Sequence, residues 1–190
     1  MSKILGTTVV AVKRGSQVAI AGDGQVTVGD MILKSTAKKI RMLYHDQVIA
    51  GFAGAVADAL TLFDKFERQL DQHGGNLRRA SVELTKEWRM DRTLHRLEAW
   101  LVIASPQGIL VLSGDGDVVE PDGETIAIGS GGGYAQAAAE ALLQHSNLSA
   151  VQIAQASMEI AAKICIYTNN YISMVSLDEG KDSSSNGLQP

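Results

Sequence analysis

The chain has 190 residues, 45% of them hydrophobic, with a formal net charge of -4 and a pI near 5.5. That length and apolar content support one domain with a substantial core, and the acidic balance argues against nucleic-acid binding, which draws on a basic excess. The single cysteine, Cys165, excludes an intramolecular disulfide framework, no apolar run reaches the ~20 residues of a membrane span, and the expectation is a soluble cytoplasmic protein with protein or peptide partners.

The head, Met1 to Gly6, is too short for a domain or a secretory signal. Thr8 to Val12 is apolar and largely β-branched, Lys13 to Ser16 is a turn signal, and Gln17 to Ala21 continues as a strand, which makes a β-hairpin. Gly22-Asp23-Gly24 ends it. Short strands are expected near Met31 to Leu33, Ile40 to Tyr44 and Gln47 to Phe52. From Ala55 the period becomes helical, with Ala59, Leu62, Phe63, Phe66 and Leu70 on one face and His73-Gly74-Gly75 as the stop. Asn76 is the expected N-cap of a second helix with Leu77, Ala80, Leu84 and Trp88 inward.

Ala99 to Ala104 and Ile109 to Ser113 form a second hairpin, and Thr125 to Ile128 a further strand. An alanine-rich helix is expected after Gly129 to Gly133. Another, capped by Ser149, carries Val151, Ala154, Met158, Ala161 and Cys165 on its buried stripe. A strand from Tyr171 to Leu177 closes the domain, and the polar segment 179–190 is expected to be a disordered tail. Strands, two helices, strands, two helices and a strand are not a βαβ alternation, so the expected class is α+β: a layered sandwich of mostly antiparallel sheets covered by paired helices.

Catalytic candidates are few. His45, His73, His95 and His145 are scattered over turns and charged helices, where a solvated reading is favoured. The metal motifs His-Glu-x-x-His and Cys-x-x-Cys are absent, as is a nucleotide-binding P-loop. Gly129 to Gly133 follows a strand and opens a helix, but it misses the dinucleotide fingerprint at Tyr134 and the nucleophile elbow at Ile128. A flexible turn and a loop presenting Ser130 to a reacting centre are both open. Gly6-Thr7-Thr8 leads directly into a strand; a Thr7 exposed as a new N-terminus would have a nucleophilic hydroxyl and its own α-amine as base, with a pKa of about 7.7–8.0. The plain alternative is a threonine that simply favours a strand.

Resemblance changes that balance. Thr7-Thr8-Val9-Val10-Ala11-Val12, Ala21-Gly22-Asp23-Gly24-Gln25, Lys38-Lys39, Ile49-Ala50-Gly51-Phe52-Ala53-Gly54, Ile128-Gly129-Ser130-Gly131-Gly132 and Ile164-Cys165-Ile166-Tyr167-Thr168-Asn169 occur in order along nearly the whole chain. Together they resemble the HslV family of peptidases, relatives of proteasome β-subunits. The resemblance implies the N-terminal nucleophile hydrolase fold, a four-layer αββα sandwich over residues 7–178, with residues 1–6 as a propeptide. It implies Thr7 as nucleophile, Asp23 and Lys39 beside it, Gly51 as the backbone donor to the oxyanion, and Ser130 as a proton-passing serine. Only the resemblance separates Lys39 from Lys38.

It further implies a cation, Na+ being the expected one, on the main-chain oxygens of Ala162, Cys165 and Thr168, and no organic cofactor. The implied partners are copies of the chain in a double ring of hexamers, the hexameric ATPase HslU, which uses the ATP, and unfolded polypeptide substrates. Alanine at 162 departs from the family's glycine, and the six-residue head requires self-cleavage or a separate protease. A small-molecule amidase of the same fold and an inactive ring subunit are the alternatives. Arg89, Arg92 and Arg96 share a helical face, either solvated or in contact with a ring neighbour or ATPase.

Overall fold

A computed structural model describes residues 4–5, 7–90, 99–113 and 116–179. Residues 180–190 of the expected tail, Arg92, His95 and Arg96 lie outside the described residues. Strands β2 (Thr8–Arg14) and β3 (Gln17–Gly22) form the first hairpin, flanked by β11 (Thr125–Gly129) and β12 (Ser173–Asp178) in the order β11-β2-β3-β12. A second sheet runs β10-β9-β8-β7-β6, from β10 (Val118–Val119), β9 (Gly108–Leu112), β8 (Ala99–Ser105), β7 (Val48–Gly54) and β6 (Ile40–Leu43). All their pairings are antiparallel.

The central strands are apolar on both faces because both are covered, and successive side chains point opposite ways. Val9, Ala11, Val18 and Ile20 meet Ile49, Ala53, Val102 and Ala104 between the sheets. Val10, Val12, Ala19 and Ala21 turn outward, onto helices α3 (Gly132–His145) and α4 (Ala150–Ile164). On the far side, Ala50, Phe52, Leu101 and Ile103 pack under α1 (Val56–Gln72) and α2 (Leu77–Met90), whose Phe63, Phe66, Leu84 and Trp88 are buried. This is the expected αββα sandwich.

The expected caps form: Asn76 Oδ1 accepts from Arg79 N at 2.9 Å, and Ser149 and Gln152 make a reciprocal capping box. One sheet was unexpected. The head strand β1 (Ile4–Leu5) pairs antiparallel with β4 (Val26–Val28), which pairs with β5 (Met31–Lys34). No helix among the described residues is long and apolar enough to cross a membrane.

Candidate active site

Two strand registers converge on Thr7. In the β2–β3 hairpin Val9 faces Gly22, so Thr8 and Asp23 are opposite one another just beyond the last pair; Asp23 N donates to Thr8 O at 3.1 Å. In the β11–β2 pairing Gly129 faces Thr8, which brings Ser130 to Thr7, and Ser130 N donates to Thr7 O at 2.8 Å. Thr7 is buried and Ser130 exposed. Gly129 has φ 91°, and a Cβ there would stand 1.9 Å from Thr7 O, so glycine is required where the loop closes on the threonine. The 129–131 turn is therefore pinned to the threonine, which favours the presenting-loop reading.

Asp23 is fully buried and saturated. Its Oδ1 accepts from Thr8 N at 2.8 Å and from Lys39 Nζ at 2.9 Å. Its Oδ2 accepts from Gln25 N at 2.9 Å and Asn169 N at 3.4 Å. Lys39, only 1% exposed, also donates to Gln25 O at 2.6 Å, whereas Lys38 is exposed. Burial thus separates the two lysines independently of resemblance. Desolvation pulls the Lys39 pKa below its ordinary value, opposed by the charge and hydrogen bond of Asp23. Such a lysine gives up a proton more readily than a surface one.

Gly51 lies within β7, opposite Ile40 of β6 and Val102 of β8. A Cβ on it would stand 2.8 Å from Val9 Cγ1 and 3.2 Å from Ile20 Cγ2, so Gly51 sets the close approach of the two sheets. Two residues further along β7, Ala53 Cβ lies 3.3 Å from the Cβ position of Gly129, beside Thr7 O. Ala53, near the end of β7, therefore lies beside the Gly129 turn that closes on the threonine.

At the other edge of the site, α4 ends at Ile164 and the chain turns, with Thr168 N donating to Cys165 O at 3.1 Å. Helix C-termini leave carbonyls without intrahelical donors, and a carbonyl has two lone pairs. The main-chain oxygens of Ala162, Cys165 and Thr168 thus suit a hard alkali cation, and no cluster of His, Cys, Asp and Glu able to hold a metal occurs among the described residues. The turn is tied to the site, since Asn169 reaches Asp23 and Gly24. Sequence reading missed Asn169, Gln25 and Thr8 as members of this network; all three stood inside the matched motifs, but their bonds to Asp23 span up to 146 residues or lie within a tight turn.

Arg89 pairs with Asp117 at 3.1 Å with both side chains exposed. His45 and His145 are exposed and His73 is half-buried.

A buried carboxylate–lysine pair beside a threonine that opens a strand, with a serine loop closed on its carbonyl, agrees with one family of peptidases, and the family described as "Proteasome subunit" matches residues 4–177. The chain belongs to the proteasome subunit family. Among solved structures, HslV from Trypanosoma brucei is 42% identical, covering 90% of this chain and 99% of that one with a TM-score of 0.85. BPH from Thiobacillus denitrificans, solved alone and with epoxomicin, is 21% and 22% identical with TM-scores of 0.75 and 0.74, covering 92% and 90% of this chain and 100% and 98% of those chains. The BPH likeness bears on the fold. The chain is thus an HslV-type, proteasome β-like subunit, a threonine endopeptidase of a compartmental protease. The small-molecule amidase and inactive-subunit alternatives fall with that assignment.

Proposed function

We propose that Thr7 becomes the N-terminal nucleophile once Met1 to Gly6 is removed, leaving residues 7–178 as the peptidase domain. The observation that carries this reading is the setting of Thr7: buried, held through its carbonyl by Ser130 N, and one residue from the Asp23–Lys39 pair. Thr7 Oγ1 attacks the substrate carbonyl as its proton passes to the α-amine. The cationic Lys39, fixed by Asp23, favours the alkoxide and lowers the proton affinity of the amine. Collapse of the tetrahedral intermediate breaks the C–N bond, the amine product leaves with the proton, and water hydrolyses the resulting ester through the same α-amine. Ser130 relays protons.

An N–H donor to the oxyanion contributes ~10²–10³ in rate. The resemblance puts this donor at the Gly51 N–H on β7, the strand whose Ala53 reaches the Gly129 turn beside Thr7. The carbonyls of Ala162, Cys165 and Thr168 hold Na+, which steadies the turn bearing Asn169. The chain works in the cytoplasm as a double ring of hexamers, fed with unfolded polypeptide by the hexameric ATPase HslU. The ATPase uses the ATP.

Intact mass, peptide hydrolysis and folded-protein degradation test this together. The mature chain is expected to start at Thr7, and Thr7→Ala to abolish hydrolysis while leaving assembly intact. Peptides are expected to be cleaved slowly, and folded proteins hardly at all, until HslU and ATP are added. Full activity with the head attached would sink the nucleophile assignment. Vigorous degradation of a folded protein by this chain alone would sink the compartment.

A further inference from the structure

A threonine at the first position of a strand usually reflects β-propensity alone. Thr8 is different in that every polar atom it owns is committed at the active site. It is fully buried; its N donates to Asp23 Oδ1 at 2.8 Å and its O accepts from Asp23 N at 3.1 Å. Its Oγ1 accepts from Gly131 N at 2.9 Å and lies 2.7 Å from Thr168 Oγ1, where either hydroxyl can donate. Gly131 has no room for a side chain here, because a Cβ would stand 2.6 Å from both hydroxyl oxygens. The backbone of the serine turn thus presses directly on the Thr8–Thr168 pair.

Through this one hydroxyl, two turns remote in sequence are fastened to the residue after the nucleophile. One is the 129–131 turn, whose Ser130 N holds Thr7 O. The other is the turn after α4, where Thr168 N closes on Cys165 O and Asn169 N meets Asp23 Oδ2. We propose that Thr8 is a positioning residue for catalysis: its hydroxyl couples the turn after α4 to the serine turn and so fixes the placement of Thr7. This rests on Thr7 as nucleophile. Thr8 touches no reacting atom, so its effect belongs on turnover through geometry, where misplacement of about 1 Å can cost ~10²-fold.

The test uses full-length chain, with assembly checked by sizing and rates normalised to assembled protein. Thr8→Val keeps the shape and removes the hydroxyl; kcat for a small peptide is expected to fall about 10- to 100-fold with KM little changed. Thr8→Ser, which keeps the hydroxyl and loses the methyl, is expected to restore kcat to within about threefold. Thr168→Val is expected to lower kcat less than Thr8→Val, and the double variant to be no slower than Thr8→Val alone, because both remove the same link. Wild-type turnover in Thr8→Val, equal impairment in Thr8→Ser and Thr8→Val, or simple additivity in the double variant would each overturn the proposal. Wild-type protein without threonine-dependent hydrolysis would sink the nucleophile assignment and this proposal with it.

Discussion

The two helical layers are built from different materials. Under α1 and α2 the contact is large, with Phe63, Phe66, Leu70, Leu84 and Trp88 filling the space above Phe52, Leu101 and Ile103. Under α3 and α4 it is smaller, with Ala135, Ala139, Ala150, Ala154 and Ala161 seated on Val10, Val12, Ala19 and Ala21, and Ile153 and Met158 as the large buried side chains. Small residues let helix backbones approach the sheet closely, and that is the sheet whose strand ends carry Thr7, Asp23 and Ser130. The aromatic layer supplies much of the apolar burial, each large side chain contributing roughly 1.5–3 kcal/mol. Placement of the site and bulk of the core thus fall largely to opposite sides of the sandwich.

Lys39 is the main exception, since it immediately precedes β6 of the aromatic-backed sheet and reaches Asp23, which immediately follows β3. It offers the largest way to break the comparison. Lys39→Ala is expected to depress peptide turnover by orders of magnitude, and also to destabilise the fold by about 3–5 kcal/mol, because Asp23 would be left as a buried charge without its cation. Lys38→Ala should leave both nearly unchanged. Steady-state rates and urea denaturation of the two variants check this, and equal small losses at both positions would show that the buried Lys39 serves neither catalysis nor stability.

The layers themselves are compared by opposite substitutions. Trp88→Ala is expected to cost about 3–5 kcal/mol through loss of burial and a residual cavity, with the specific activity of the remaining folded protein nearly intact. Ala154→Leu is expected to cost less, about 1–3 kcal/mol of overpacking, yet to lower specific activity by displacing the strands that carry Thr7 and Asp23. Thermal unfolding and rates per folded chain distinguish the two. A Trp88→Ala protein that is stable but catalytically impaired would show that the aromatic layer also positions the site.

Sequence disclosed the layers better than the wiring. The helical faces were legible because each buries one apolar stripe, and β2, β3, β7 and β8 because their continuous apolar runs require cover on both sides. The sheet of β1, β4 and β5 was not legible as a unit: Met31, Ile32 and Leu33 are each about 60% exposed, at 65%, 59% and 60%, so no alternation marks a buried face. Thr7, Asp23, Lys39 and Ser130 were reached through matched motifs, and burial then separated Lys39 from Lys38. Gly51 also spaces the two sheets, and that part of its role was not legible because only the packing of Val9 and Ile20 against it shows it. Thr8 stayed hidden because a hydroxyl bonded to a partner 160 residues away looks, in sequence, like any strand threonine.

The smallest expected effect is at Cys165, where the chain leaves α4. Its backbone is committed: N donates to Ala161 O at 2.8 Å and O accepts from Thr168 N at 3.1 Å. Its Cβ packs 3.3 Å from the Cβ position of Gly131, while the side chain is 8% exposed. Cys165→Ala keeps the Cβ and both backbone bonds, so it is expected to change turnover by no more than about threefold, the loss of a small buried thiol being mainly a packing matter. Peptide hydrolysis before and after treatment of wild type with a thiol-blocking reagent completes the measurement. Because burial protects the thiol, inactivation should be slow, and it should track disruption of the assembled protein rather than precede it. Rapid loss of hydrolysis from an intact assembly would mean that the thiol does chemistry, and that the small-residue layer holds a second reactive centre besides Thr7.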